Sequence, residues 1–205
     1  NRLVAMTSRN VLSCWDVPAG KKLWQVETGL IAPDSLLSSQ GLVAFVERME
    51  NNLQQPMLVV IDPETGKRKV RAKVSDGDFP ANGMGIDESA IYITFRERQA
   101  RDRIYVSAFS LADGRRLWMA PRAGTGSLQL FSPILSGPWF LLNGAVLEGG
   151  TQRWSPVSQV IQRSDGARVQ EIAPESMLPM TPSVTVENGM LAIVHGAQIF
   201  AYVGE

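Results

Sequence analysis

Residues 60–70 read VIDPETGKRKV, a pattern typical of a β-hairpin. An apolar strand ends at Asp62, whose carboxylate can accept backbone N–H bonds from the turn that follows. Gly66 can adopt the positive φ that closes such a turn, which a residue with a β-carbon resists. The chain then continues through basic residues to Val70. The stretch therefore predicts two antiparallel strands joined by a tight turn centred on a glycine.

The same pattern occurs at three other places, residues 14–24 (CWDVPAGKKLW), 108–118 (AFSLADGRRLW) and 160–170 (VIQRSDGARVQ). The shared glycine recurs every 46 to 52 residues. A repeat of about 40–50 residues is the length of one four-stranded blade of a β-propeller. The residues assigned to this structural repeat motif are Asp16, Gly20, Trp24, Asp62, Gly66, Gly114, Trp118 and Gly166. We expect the large apolar residue four positions after the glycine (Trp24, Val70 or Trp118) to pack between adjacent blades.

Alternation and turn residues predict the other strands of each repeat. In the third repeat these are residues 81–86, 90–95, 103–110 and 115–121, and in the second and fourth repeats the first strands are residues 35–38 and 131–135. No segment has the 3.6-residue period of a helix, so the chain is predicted to be all-β. We assign one domain with blades at about residues 1–29, 30–75, 76–122, 123–175 and 176–205.

The first and last of these blades are incomplete, which leaves three full blades and two partial ones. Both partial blades hold a second and a third strand, so they cannot complete each other into a four-bladed ring. We therefore expect a segment of a larger seven- or eight-bladed ring. Its other blades would come from a longer chain or from another chain, and open strand edges could also support an oligomer.

Composition narrows the possible partners. The 205 residues carry 20 Lys and Arg and 20 Asp and Glu, which gives a net charge of zero and no general reason to expect nucleic acid as a partner. No apolar run is long enough for a membrane-spanning helix. The single cysteine, Cys14, lies in an apolar strand pattern and is expected to be an inert, packed thiol.

The repeats resemble the quinoprotein-like (PQQ-like) propeller repeat, whose pattern is Ala-x-Asp-x-x-Thr-Gly-x-x-x-Trp. The matching positions are Asp16, Gly20 and Trp24 in the first repeat, Asp62, Thr65 and Gly66 in the second, Ala108, Gly114 and Trp118 in the third, and Gly166 in the fourth. A WD40 propeller is the alternative, since Trp15 and Asp16 form a Trp-Asp pair. No Gly-His pair precedes any blade, however, and the one histidine is His195.

The resemblance implies two alternative functions. Some members of the family are dehydrogenases that hold pyrroloquinoline quinone and calcium, and they share a vicinal cysteine pair that Cys14 alone cannot provide. Others lack the cofactor and serve as binding platforms, scaffolds or sensors. We expect the second kind: a module without a cofactor that binds a protein partner or further blades of the same protein. By resemblance it would be extracytoplasmic, in the periplasm or cell envelope. The alternative is a fragment of a PQQ- and calcium-dependent oxidoreductase whose catalytic residues lie outside this chain.

Residue patterns that suggest chemistry are weak. Asp76 and Asp78 could ligate a cation but read as an acidic turn, and the pairs Gly83/Gly85 and Gly124/Gly126 read as turns rather than a nucleotide loop. His195 reads as a residue of a hairpin turn. We therefore assign no catalytic, cofactor-binding or metal-binding residue.

Loop length suggests a binding surface. Between second and third strands the predicted loops are long in the second, third and fourth blades (48–55, 96–102 and 143–156) and short in the first and last (8–10 and 195–196). Long loops on a rigid scaffold often carry binding sites. The candidate partner-binding residues are Arg96, Arg98, Arg101 and Trp154, because Arg and Trp are frequent anchors of interfaces. Solvated hairpin ends are the alternative interpretation.

Overall fold

A computed structural model describes residues 2–8, 10–32, 35–39, 41–49, 52–75, 79–96, 104–120, 128–130, 134–147, 154–172, 183–187, 190–195 and 198–203. Within these ranges every regular element is a β-strand. No helix in them has the length and hydrophobicity needed to span a bilayer.

The strands fall into five antiparallel sheets in chain order. The first sheet contains β1 (Arg2–Ser8), β2 (Val11–Asp16) and β3 (Lys21–Glu27); the second contains β4 (Leu30–Ile31), β5 (Leu37–Ser39), β6 (Leu42–Met49), β7 (Asn52–Ile61) and β8 (Arg68–Lys73); the third contains β9 (Phe79–Ile86), β10 (Ala90–Arg96), β11 (Ile104–Ser110) and β12 (Arg116–Met119); the fourth contains β13 (Leu128–Leu130), β14 (Ile134–Ser136), β15 (Trp139–Leu147), β16 (Trp154–Gln162) and β17 (Arg168–Ile172); the fifth contains β18 (Ser183–Glu187), β19 (Met190–His195) and β20 (Gln198–Val203).

The strand order confirms the predicted fold, a β-propeller segment with three full and two partial blades. The second, third and fourth sheets run in the orders β4-β6-β7-β8, β9-β10-β11-β12 and β13-β15-β16-β17, while the first and fifth have three strands each. In the second sheet both β4 and β5 pair with β6, and in the fourth sheet both β13 and β14 pair with β15. Two short strands therefore share the first position of each of these sheets. The single first strands predicted at 35–38 and 131–135 were therefore wrong.

The interpretation of Gly83 and Gly85 as turn residues was also wrong. Both lie inside β9, where Gly85 is paired with Tyr92 of β10. A β-carbon at Gly85 would lie 3.2 Å from Cδ1 of Leu135 in the fourth sheet. The absence of a side chain thus lets the third and fourth sheets approach closely, a common reason for glycine in a strand.

Three clusters of buried apolar residues lie between consecutive sheets. The first joins the first and second sheets around Phe45, the second joins the second and third around Phe95, and the third joins the third and fourth around Phe140. Neighbouring residues of one strand serve different clusters, since Phe45 faces the first sheet and Val46 faces the third. This alternation is the period of two expected of a strand buried on both faces.

Candidate functional site

The predicted glycine turns share a positive φ. The values are +62° at Gly20, +70° at Gly66, +73° at Gly114 and +76° at Gly166. In the second hairpin, Oδ1 of Asp62 accepts backbone hydrogen bonds from Glu64 (2.8 Å) and Thr65 (3.3 Å), and these bonds lower the pKa of Asp62. The carboxylate therefore holds the turn in the shape that the next contact requires.

That contact is the docking of a tryptophan from the preceding sheet onto the turn glycine. The indole N–H of Trp24 donates to the carbonyl of Pro63 at 2.9 Å, and its ring covers Gly66, where a β-carbon would lie 2.8 Å from Cδ2. Trp118 repeats this geometry on the fourth sheet. Its N–H donates to the carbonyl of Arg163 at 2.8 Å, and its ring covers Gly166.

The seam between the second and third sheets has the same construction without an indole. Val70 replaces the tryptophan, and a β-carbon at Gly114 would lie 2.7 Å from its Cγ1. Leu111, which follows the last residue of β11, packs against the same apolar cluster. Aliphatic packing thus takes the place of the ring and its hydrogen bond.

The third and fourth sheets are also joined by a polar cluster that the sequence analysis did not identify. A carboxylate oxygen of Asp87 accepts the Tyr92 hydroxyl at 2.6 Å and forms an ion pair with Arg163. The other oxygen accepts backbone hydrogen bonds from Ser89 (2.7 Å) and Ala90 (2.8 Å). The Arg163 guanidinium lies 5.8 Å from the centroid of the Tyr92 ring and donates to the carbonyl of Gly137.

The cluster shifts the pKa values of Asp87 and Tyr92 in opposite directions. Burial alone would raise the pKa of Asp87, but the hydrogen bonds from Tyr92, Ser89 and Arg163 outweigh it and hold that pKa far below its ordinary value. Burial, together with the neighbouring Asp87 carboxylate, raises the pKa of Tyr92 to about 12. Both groups therefore keep one protonation state across the physiological range, which suits a structural tie better than proton transfer.

A second buried carboxylate holds the connection between the first and second sheets. Glu47, 1% exposed, accepts the backbone N–H of Gly29 at 2.7 Å and the Nε–H of Arg71 at 3.0 Å. Gly29 lies in the connection that leads from β3 to β4. Neither Glu47 nor Asp87 was predicted, because nothing in the local sequence distinguishes a carboxylate that will be buried at a seam from one that stays in solvent.

Two of the candidate partner-binding residues, Arg96 and Trp154, lie where the second and third strands of their sheets connect. Arg96 is the exposed last residue of β10, opposite Ile104, and Trp154 is the first residue of β16, opposite Leu147. Arg98 and Arg101 lie outside the described residues. The described parts of the predicted loops 48–55 and 143–156 are strand, since the pairs Met49–Asn52 and Leu147–Trp154 extend both ladders.

Other predicted features are placed as follows. Cys14 is fully buried, and burial raises the pKa of its thiol. His195 is the last residue of β19 and pairs with Gln198. Asp76, Asp78, Gly124 and Gly126 lie outside the described residues. In the part of the chain that the structure describes, no group of three or more His, Cys, Asp or Glu side chains is placed to hold a metal ion.

The fold defines this chain as a segment of a β-propeller, and comparison with solved structures agrees. It is similar to the computationally designed Ika8 protein (TM-score 0.59, 10% identity), to a europium-containing methanol dehydrogenase (0.60, 14%) and to the quinohemoprotein alcohol dehydrogenase from Comamonas testosteroni (0.61, 12%). The alignments cover 98%, 94% and 93% of this chain but 57%, 46% and 38% of those proteins. At such identities the likeness is one of fold. The sequence matches no protein-family model and no curated protein.

Proposed function

We propose that this chain is a non-catalytic propeller module that binds a protein partner or serves as a scaffold within a larger protein or complex. The observation that supports the proposal is that the buried carboxylates of this chain hold its sheets and their connections in place. Asp87 is paired with Arg163 and fixes the third sheet against the fourth, while Glu47 is paired with Arg71 of its own sheet and holds the connection that leads from the first sheet to the second. Such seams make a rigid scaffold, on which binding residues are normally carried by the connecting loops.

The partner surface in this proposal is the end of the sheets that carries Arg96, Arg98, Arg101 and Trp154. Val11, whose pair with Ser8 ends the ladder of the first sheet, matches Val157, and the ladder of the fourth sheet continues three residue pairs beyond Gly144–Val157. At about 3.4 Å per residue, that hairpin projects roughly 10 Å further than the first. In this proposal the partner contacts the projecting strands of the fourth sheet and the exposed Arg96, with Arg98 and Arg101 of the same predicted loop as further cationic anchors.

The test is cross-linking of the native complex, followed by affinity measurement with the partner so identified. Replacement of Arg96, Arg98 and Arg101 by Ser should weaken binding at least about tenfold, because arginine anchors often contribute more than 1 kcal/mol each. The melting temperature should not change. The matched control replaces three exposed cations at the opposite ends of the sheets, Lys21, Lys67 and Arg115, which should leave affinity intact. Equal affinities of the two triple variants would refute the proposal.

A fragment of a quinone-dependent dehydrogenase is the second candidate, and it is supported by the fold likeness to the methanol and alcohol dehydrogenases. The buried carboxylates described above do not fit a calcium site, because guanidinium groups and N–H donors already occupy their oxygens. In that candidate the catalytic residues lie outside this chain, so fluorescence titration of the protein at its natural length with pyrroloquinoline quinone and calcium distinguishes the two. Saturable quenching that requires calcium would favour the dehydrogenase fragment, and its absence would favour the binding module.

By the same fold likeness, we propose an extracytoplasmic location. Fractionation of cells that produce the tagged protein at its natural length would test this, and recovery with cytoplasmic markers would contradict it.

A further inference from the structure

The outer strand of the second sheet, β8, is the most basic strand among the described residues. It reads RKVRAK, so four of its six residues are cations and none is an acid. The outer strands of the first, third and fourth sheets, β3, β12 and β17, carry two, one and one cation, and β3 and β17 also carry one acid each. Since the whole chain has a net charge of zero, the excess on β8 is local. The other outer strands fill the same place without it, so the fold does not require it.

The cations of β8 lie along an edge of the sheet, since β8 is the last strand in the order β4-β6-β7-β8. The four cationic residues of the strand are all exposed, namely Arg68, Lys69, Arg71 and Lys73. The Val74 amide donates to the Pro56 carbonyl of β7 at 3.1 Å. Because main-chain groups alternate in direction along an antiparallel strand, the N–H and C=O of Arg71 point away from β7. The edge therefore presents main-chain hydrogen-bonding groups and positive charge together.

The two arginines of β8 are positioned by neighbouring groups. Nε of Arg71 donates to Oε1 of Glu47 at 3.0 Å, and the side chains of these residues are 40% and 1% exposed. Arg68 donates through Nη2 to the backbone carbonyl of Glu27 in β3. Both guanidinium groups are therefore held in place at the surface, so less side-chain entropy is lost when an anion binds them.

Positive charge remains in excess after these contacts are counted. The buried Glu47 offsets the charge of Arg71. Oδ2 of Asp62 lies 3.3 Å from Nζ of Lys69 and offsets that charge. Arg68 contacts an uncharged carbonyl, so its charge is not offset there. The strand therefore attracts anions and repels a second copy of itself, because pairing of two such strands would place cations opposite each other.

We propose that an extended acidic segment of a partner polypeptide adds to the edge of β8 as a further strand. The main chain of the segment pairs with the outward N–H and C=O groups, and its carboxylates contact the cations. Alternate side chains of the two strands match, because both repeat about every 7 Å on one face. Lipid headgroups and the phosphates of duplex DNA use the charge but not the main-chain groups. This surface is distinct from the loop surface around Arg96, so the inference goes beyond the proposed function.

The test measures the fluorescence anisotropy of labelled peptides with the protein at its natural length. The probe is a peptide of about six residues, the usual length of a strand, in which glutamate and valine alternate. One control peptide carries lysine in place of glutamate, and the other is the fully N-methylated form of the probe, which keeps the charge but has no N–H donor. The probe should bind saturably, and both controls should bind at least about tenfold more weakly, because several ion pairs or hydrogen bonds are lost at once.

Substitutions in the protein locate the site. Replacement of Arg68, Lys69 and Lys73 by Ser should weaken binding of the probe about tenfold, because each exposed ion pair contributes about two- to threefold. Arg71 is kept, since its loss would leave the buried Glu47 without its cation. The matched control removes one exposed cation from each of the other outer strands and should leave the affinity unchanged; the three are Lys22, Arg116 and Arg168. Circular dichroism should show that both variants are folded.

Equal affinities of the two triple variants for the probe, or no saturable binding of the probe at all, would overturn the proposal. Equal binding of the probe and its N-methylated form would also overturn it, as would tighter binding of phosphatidylserine vesicles or duplex DNA, since charge alone would then explain the interaction. Arg96, Arg98 and Arg101 are unchanged throughout, so failure of strand addition at β8 is distinct from failure of the proposed function.

Discussion

Truncation of Trp118 is the sharpest probe of the seams between blades. The ring is half-buried, covers Gly166 and donates to the Arg163 carbonyl at 2.8 Å. Loss of a fully buried Trp costs about 3–5 kcal/mol, so the half-buried ring should contribute about 2–3 kcal/mol to the free energy of unfolding. For a chain of this size that corresponds to a fall in melting temperature of about 4–12 °C. Trp118→Phe, which keeps a ring but loses the N–H donor, should cost only about 1 kcal/mol.

The assay is urea unfolding followed by circular dichroism, with thermal melting as a second measurement. Leu117 is a matched control because it is the adjacent residue of β12 and is 44% exposed. Leu117→Ala should change the free energy of unfolding by less than about 0.5 kcal/mol. If Trp118→Ala lowers the free energy of unfolding no more than Leu117→Ala does, the contact of the indole with Gly166 does not stabilise the packing of the two blades.

Three further predictions concern buried ionisable groups. Asp87→Asn should lower the free energy of unfolding by about 2 kcal/mol, because it weakens charged hydrogen bonds to Arg163 and Tyr92. Since the fold lowers the pKa of Asp87, this difference should be complete above the ordinary carboxyl pKa of about 3.9 and should shrink in urea titrations as pH falls below it. Ultraviolet titration should find a tyrosine that ionises near pH 12 and whose signal is missing in Tyr92→Phe. The raised pKa of Tyr92 contributes stability below pH 10 that is lost as pH rises towards 12. Cys14 should react with a thiol reagent only after unfolding, and rapid reaction of the native protein would contradict its burial.

The architecture was predictable because its signal is repeated. A single hairpin motif does not identify the fold, but the glycine turns and the apolar residue four positions later repeat with a blade-length period. The alternation of apolar residues then supplies most strand positions. The ends of the strands were harder to predict. Residues within the predicted loops, such as Val146 and Leu147, continue the ladder, and the sequence pattern does not separate them from a loop.

The polar ties could not be predicted because they depend on distant partners. Asp87 and Arg163 are 76 residues apart and belong to different repeats, at positions that no other repeat fills with the same residue types. Their pairing depends on how two sheets pack, which periodicity does not encode. Gly85 was misread for a similar reason, because its role depends on Leu135 of the neighbouring sheet.

The central claim is that at two of the described seams, between the first and second sheets and between the third and fourth, an indole packs on the turn glycine of the next blade and joins the two blades. Nuclear Overhauser effects test it directly in the isotope-labelled protein. The account predicts cross-peaks from the Trp24 ring to the α-protons of Gly66 and from the Trp118 ring to those of Gly166. Absence of both sets, in a sample whose cross-strand contacts within each sheet are present, would contradict it.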